Sequence, residues 1–211
     1  MQPLILQEHL GSGSQRDCWV HPGRPDLCVK TIHSQNSRNQ NQLDYDYYQW
    51  LKKRGKSGAH FPALLGWCIT DKGPGLIFER IINADMQPSL NLKDSLEQKQ
   101  VTPAQASALV KEMFQSFLAE GLSVYDGCPT NFLVCIQDDH MRLVAVDGIG
   151  HRNQSFKSRL RDRFPLLSRL KTLTTRHVLL QHIATYARET PPHDAGAPGA
   201  VADGDQLRKA G

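Results

Sequence analysis

Short apolar runs separated by turn residues dominate the N-terminal part of the chain. They are rich in β-branched and aromatic residues and are bounded by Gly, Pro and Asp, a pattern typical of antiparallel strands. The runs lie at residues 4–6, 18–21, 27–32, 61–69 and 76–82. This part of the sequence therefore predicts a small antiparallel sheet.

Three other segments repeat their apolar residues with the period of a helix, at 39–54, 103–120 and 165–187. The helix predicted at 103–120 has the clearest ends, because Thr102 is a favoured N-cap residue and Gly121 a favoured stop. Two short apolar runs, 132–134 and 143–146, predict strands after it.

The order of these elements predicts an α+β fold with two lobes that share a cleft. A small antiparallel lobe occupies about residues 1–82, and a compact, mainly helical lobe occupies about residues 83–188. The second lobe begins with a polar segment, 83–100, that shows no regular period. Residues 189–211 are dominated by Pro, Gly, Ala and Asp, which predicts a disordered tail.

Composition narrows the class of protein. The chain has 211 residues, 39% of them hydrophobic, and no apolar run near the roughly 20 residues of a membrane helix. The N-terminus lacks the pattern of a secretory signal. The five cysteines are an odd count without a Cys-x-x-Cys pair, so we expect reduced thiols rather than disulfides or a zinc site. These features predict a cytoplasmic protein.

The net charge of +4 is unevenly distributed. Five basic residues and one acidic residue, Asp162, lie within the stretch 152–163. A solvated helix face explains such a run, and contact with an anionic partner is the functional alternative. Aromatic residues are nearly absent from it, which disfavours nucleic acid as that partner.

The candidate chemistry centres on Asp126, Asn131 and Asp147. An Asp, an Asn five positions later and a second Asp after two short strands suit phosphoryl transfer. Asp126 would orient a hydroxyl acceptor, while the oxygens of Asn131 and Asp147 would hold Mg²⁺. Each of these residues is also a common turn former, so turn capping is the alternative.

A glycine loop, Gly11-Ser12-Gly13-Ser14, lies between two predicted strands. A dinucleotide-binding loop would be followed by a helix and a Walker loop by Gly-Lys-Ser/Thr, so neither applies. A flexible loop between antiparallel strands suits a cover over nucleotide phosphates. Lys30 follows in an apolar strand, either as a solvent-facing edge residue or as a phosphate ligand paired with an acid of helix 39–54, preferably Asp44.

These residues occur in the order of the protein-kinase signature. Within kinase-like proteins the chain resembles the YrbL family of PhoP regulatory network proteins. The resemblance rests on Leu-Gly-Ser-Gly-Ser-Gln-Arg-Asp-Cys-Trp-Val-His-Pro, the later Cys-Val-Lys and Tyr-Tyr, and Cys-Pro-Thr-Asn-Phe-Leu-Val, and it spans roughly residues 8–187. It implies a bilobal protein-kinase-like fold with ATP and Mg²⁺ in the cleft.

The resemblance also implies roles for individual residues. Lys30 would hold the α- and β-phosphates with Asp44 as its partner, and the hinge residues Glu79 and Ile81 would bind adenine through their backbone. Asp126 would be the catalytic base, and Asn131 and Asp147 would bind the metal.

Several positions depart from the kinase pattern. Arg16 replaces the third glycine, Val124-Tyr125 replaces His-Arg, and no Ala-Pro-Glu follows Asp147. We therefore expect a compact kinase for a small molecule, a lipid-linked sugar or one particular protein. The alternative is a weak or inactive pseudokinase that binds nucleotide or acts as a regulatory interaction module.

Overall fold

A computed structural model describes residues 2–32, 40–56, 58–149 and 165–189. The described elements form a mixed α+β fold with one five-stranded antiparallel sheet, one two-stranded sheet and four α-helices. The strands are β1 His9–Ser12, β2 Arg16–His21, β3 Arg24–Ile32, β4 Leu64–Thr70, β5 Gly73–Glu79, β6 Phe132–Gln137 and β7 His140–Ala145. The helices are α1 Gln40–Lys53, α2 Leu92–Glu97, α3 Pro103–Glu120 and α4 Pro165–Glu189.

The large sheet has the order β1-β2-β3-β5-β4, so β3 lies at its centre. Val29 on β3 is fully buried and pairs with Ile77 on β5. Gly75 on β5 allows this close packing, because a Cβ there would lie 2.6 Å from Cγ1 of Val29. The central strand is therefore held tightly, and it carries Lys30 in a fixed position beside Val29.

Helix α1 confirms the helix predicted at 39–54 and packs against the large sheet. Its buried residues include Tyr47 and Leu51, and the ring of Tyr48 meets Phe78 of β5 edge to face at 5.5 Å. Aromatic contacts of this kind add to the free energy gained from apolar burial. They fix the face of α1 that carries Asn41 and Asp44 toward the sheet.

Helix α3 confirms the prediction for 103–120 at both ends. Thr102 and Gln105 form a reciprocal capping box, and Gly121 ends the helix with φ of 67°. Its apolar side is buried in the main core, which also includes Leu179 and Ile183 of α4. The two long helices therefore pack together and support the segment that leads to Asp126.

Two predictions for the irregular segments need correction. The segment 83–100 contains a helix, α2, because the side chain of Asn91 accepts a hydrogen bond from the Asp94 N–H and caps a short turn. Residues 4–6 form no strand of their own. Leu4 makes a single parallel bridge to Thr70, and the first strand, β1, begins at His9.

Two predicted features lie outside the described residues, namely the basic stretch 152–163 and, apart from Glu189, the tail 189–211. In the part of the chain that the structure describes, no helix is both long and apolar enough to cross a membrane.

The capping box gives a prediction about stability. Thr102→Ala removes the hydroxyl that accepts from Gln105 N, so we expect the free energy of unfolding to fall by about 1 kcal/mol in a urea titration. Thr174→Ala is the matched control, because among the described residues that exposed hydroxyl donates only within α4, to Leu170 O. Its effect should stay within about 0.5 kcal/mol. Equal stability of Thr102→Ala and wild type would contradict the assignment.

Candidate nucleotide site

A cleft of about 630 Å³ lies against the large sheet, where Cys18 of β2, Lys30 of β3 and Phe78 of β5 line it. Its lining includes the glycine loop, Lys30 and the residues that follow β5, and on the opposite side the loop of Asp126 and the end of β7. Of the predicted site residues, it is lined by Gly11, Ser12, Gly13, Ser14, Lys30, Glu79, Ile81, Asp126, Asn131 and Asp147. Asp44 does not line the cleft, but it accepts a hydrogen bond from Arg16, which does.

The glycine loop is a tight connection between β1 and β2. Gly13 N donates to Arg16 O at 2.8 Å, and the Ser12 hydroxyl donates to the Asp17 carboxylate at 2.5 Å. A Cβ added at Gly11 would meet no atom within 4 Å, so the loop is open on that side. The loop therefore leaves free space above the cleft.

Lys30 points from the central strand to the segment that carries Asp147. Its ammonium donates to Val146 O at 2.6 Å and lies 4.9 Å from the ring centroid of Phe78. Lys30 is therefore a cleft residue and not a solvent-facing residue of an edge strand. Its ammonium is directed to the end of β7 rather than to α1.

Arg16, at the base of the glycine loop, makes the contact that was predicted for Lys30. Its guanidinium donates to Asp44 Oδ2 at 2.5 Å and to Asp147 Oδ2 at 3.1 Å, and its side chain is only 7% exposed. It also donates to Asn41 Oδ1 at 3.3 Å. The predicted Lys30–Asp44 ion pair is therefore wrong. Arg16 pairs with Asp44 instead, because a guanidinium can contact two carboxylates at once.

Asp147 is half exposed, and two cations surround its carboxylate. Burial would raise its pKa, but the charges of Lys30 and Arg16 outweigh that effect and lower the pKa below its usual value. Its Oδ1 accepts from Gly148 N at 2.7 Å. Asp147 is therefore an ionised carboxylate at neutral pH, with both oxygens in hydrogen bonds.

Gly148 brings the two candidate acids together. It has φ of 77°, and a Cβ there would lie 2.9 Å from Cβ of Asp126. Tyr125 N donates to Gly148 O at 2.8 Å, which joins the two segments through the backbone. A glycine is therefore required for both its conformation and the close approach.

The loop of Asp126 and Asn131 is held by local turns. Asp126 Oδ1 accepts from Cys128 N at 3.0 Å, and a 3₁₀ turn, Pro129–Asn131, follows. Val146 N donates to Asn131 O at 2.9 Å, so the backbone of Asn131 lies beside the residue before Asp147. Turn capping and a role in the cleft are thus compatible for Asp126.

The two predicted hinge residues, Glu79 and Ile81, both line the cleft. The Glu79 carboxylate accepts from Ala63 N at 3.0 Å, and Glu79 O accepts a long contact from the Cys28 thiol, at 3.8 Å. Ile81 is buried, and within the described ranges no group accepts a hydrogen bond from its N–H.

Two cysteines of the cleft were not predicted as site residues. Interaction with the Cys28 thiol is the main cause that lowers the pKa of Cys18 to about 7, and Lys30 and Arg16 lower it further. The pKa of Cys28 is raised well above its usual value by the same interaction and by burial. The alternation of side chains along β3 could have indicated Cys28, because it lies two residues before Lys30 and so on the same side of the strand. Cys18 lies opposite Lys30 on the neighbouring strand, β2.

Known proteins support the family that the sequence motifs suggested. Residues 4–187 match the family described as PhoP regulatory network protein YrbL. Proteins named "Uncharacterized protein YrbL" from Escherichia coli (strain K12) and Shigella flexneri are each 27% identical over 153 residues, 70% of this chain and 72% of theirs. Because the match covers most of the chain and every residue of the cleft, this protein belongs to the PhoP regulatory network protein YrbL family.

Proposed function

We propose that this protein is an ATP- and Mg²⁺-dependent phosphotransferase with a bilobal kinase-like fold, which transfers a phosphoryl group to a hydroxyl acceptor. One observation carries the proposal. Lys30 on β3, Asp126 and Asn131 in one loop, and Asp147 after β7 come from three separate segments, yet all four line one cleft together with the glycine loop. Turn formation explains the presence of each residue by itself, but it does not explain why all four line the same cleft.

The adenine end of the cleft is supported by backbone groups. The Ile81 N–H has no acceptor in the described part of the chain, and Glu79 O accepts a weak contact from the Cys28 thiol. A planar heterocycle with a ring-nitrogen acceptor next to an exocyclic amino donor, as in adenine, would satisfy both groups, and a volume of about 630 Å³ is in the range of small-molecule pockets.

The phosphate end combines cations with hard oxygen ligands. The open side of Gly11 leaves room for phosphate, and Lys30 and Arg16 supply positive charge. Asn131 and Asp147 fit Mg²⁺, which binds through one or two protein oxygens together with phosphates and water. When bound, Mg²⁺ would neutralise charge on the phosphates. The described residues contain no group of three His, Cys, Asp or Glu side chains suited to a metal held by protein alone.

Asp126 would act on the acceptor. Asp126 is half-buried, lines the cleft and packs its Cβ against Gly148, and from there its carboxylate would orient a hydroxyl group and take its proton. In phosphoryl transfer the protein contributes mostly placement and electrostatic stabilisation. A rigid backing from the α3–α4 core suits this task, since Thr175 of α4 donates to Val124 O at 2.9 Å, two residues before Asp126.

A regulatory module that binds nucleotide without turnover is the second candidate. It is favoured by the hydrogen bonds that engage both oxygens of Asp147, to Arg16 and to Gly148. Under either function, contact of the stretch 152–163 with an anionic partner and a cytoplasmic location remain expectations.

Asp126→Asn separates the two candidates. If Asp126 takes the proton, ATP turnover by purified protein should fall by about 100-fold or more, while the affinity for Mg·ATP stays within about twofold. Asp139→Asn, on the exposed β6–β7 turn, is the matched control and should keep wild-type turnover. Nucleotide binding without turnover in the wild-type protein would favour the regulatory module, and full turnover in Asp126→Asn would contradict the assigned base.

Cys18 offers a probe of cleft occupancy. Because its pKa is about 7, its alkylation by iodoacetamide should accelerate as pH rises through 7, as the thiol becomes thiolate. Mg·ATP in the cleft should slow this reaction. Cys68 is the internal control, since burial raises its pKa and it is not part of the cleft lining. Peptide mass spectrometry that finds equal Cys18 labelling with and without Mg·ATP would count against nucleotide binding there.

A further inference from the structure

The phosphate end of the cleft already contains a protein cation at Asp147. Arg16 is 7% exposed and donates to both Asp44 and Asp147, whereas the other acceptor oxygen of Asp147 is taken by Gly148 N. A divalent ion that binds Asp147 therefore meets a carboxylate whose two oxygens each already accept a hydrogen bond, and it is repelled by the positive charge of Arg16. Of the two carboxylates that the Arg16 guanidinium contacts, Asp147 is held by the weaker hydrogen bond, at 3.1 Å against 2.5 Å to Asp44.

The charges of this cluster balance. Arg16 and Lys30 carry one positive charge each, and Asp44 and Asp147 carry one negative charge each, so the four side chains are neutral together. A neutral cluster attracts a free divalent cation only weakly. Removal of the Arg16 charge would leave a net negative cluster in a partly buried site, where electrostatic interactions are stronger than in water.

Arg16 also remains close to the phosphate space when it leaves Asp147. Asp44 and Asn41 of α1 hold the same guanidinium nitrogen, Nη1, while Nη2 is the atom that contacts Asp147. Release from Asp147 would therefore free Nη2 without moving the rest of the side chain. A guanidinium anchored in this way suits contact with a phosphate oxygen.

We propose that Arg16 is a specificity-determining residue of this site, which competes with divalent metal for Asp147 and binds nucleotide phosphate through Nη2 when that nitrogen leaves Asp147. The proposal rests on the phosphotransferase or nucleotide-binding function above. It assigns to Arg16 two opposite effects, weaker binding of free metal and stronger binding of nucleotide without metal. Arg16, which occupies the position of the third glycine of the kinase pattern, thus has a chemical role.

The test is calorimetric titration of the full chain with Mn²⁺ alone and with ATP in the presence of a chelator. In Arg16→Gln, affinity for Mn²⁺ alone should rise by about tenfold, the order expected for one charge-assisted hydrogen bond, and affinity for metal-free ATP should fall by a similar factor. Arg24→Gln is the matched control, because Arg24 is an exposed arginine of the same sheet that pairs with Asp26. Both affinities should be unchanged in that variant.

Arg16→Lys keeps the test valid if Arg16→Gln does not fold. A single ammonium cannot hold Asp44 and Asp147 as a planar fork does, so Mn²⁺ affinity should rise by a smaller factor. Mn²⁺ affinity within twofold of wild type in every folded variant would overturn the role of Arg16, even where Mg·ATP still binds. A rise in Mn²⁺ affinity in protein that binds no ATP would support competition at Asp147 and contradict the nucleotide function.

Discussion

The buried guanidinium of Arg16 is the interaction on which the geometry of the cleft depends. It joins the glycine loop to Asp44 on α1 and to Asp147 after β7, residues that lie 28 and 131 positions away in the sequence. A buried charge is costly unless carboxylates pair with it, and loss of one partner leaves that cost uncompensated. The loop, the helix and the acidic segment therefore hold their relative positions as one unit.

The remaining contacts extend this unit to the rest of the cleft. Lys30 and Asn131 both bind the backbone of Val146, one through its C=O and the other through its N–H. Gly148 then permits the close approach of Asp126, and α4 supports the preceding segment, 122–124, through Thr172 and Thr175. Three residues of the cleft, Lys30, Asn131 and Asp126, are thus positioned by the backbone of the segment 146–148, which itself carries Asp147. This explains how short loops can present several polar groups with fixed spacing.

Local signals predicted more of this protein than long-range ones did. Both ends of helix α3 were predictable to the residue, because Thr102 and Pro103 act on the first turn of the helix and Gly121 acts on its last turn. The cleft residues were predictable from residue type and order. The role of Arg16 was not, because the choice between Lys30 and Arg16 as partner of Asp44 depends on side-chain reach across three elements. Helix α2 was missed because a single Asn91 cap defines a helix of only six residues.

The most direct test of the account is the shift in unfolding temperature of the wild-type protein and Asp147→Ala with ATP, measured with and without Mg²⁺. A ligand at about 100 times its Kd stabilises a folded protein by about 2.7 kcal/mol. The account predicts a clear rise for the wild type with Mg·ATP, a loss of its Mg²⁺-dependent part in Asp147→Ala, and a wild-type response in Asp139→Ala. No rise for the wild type at millimolar ATP, with or without Mg²⁺, would contradict a nucleotide site in this cleft.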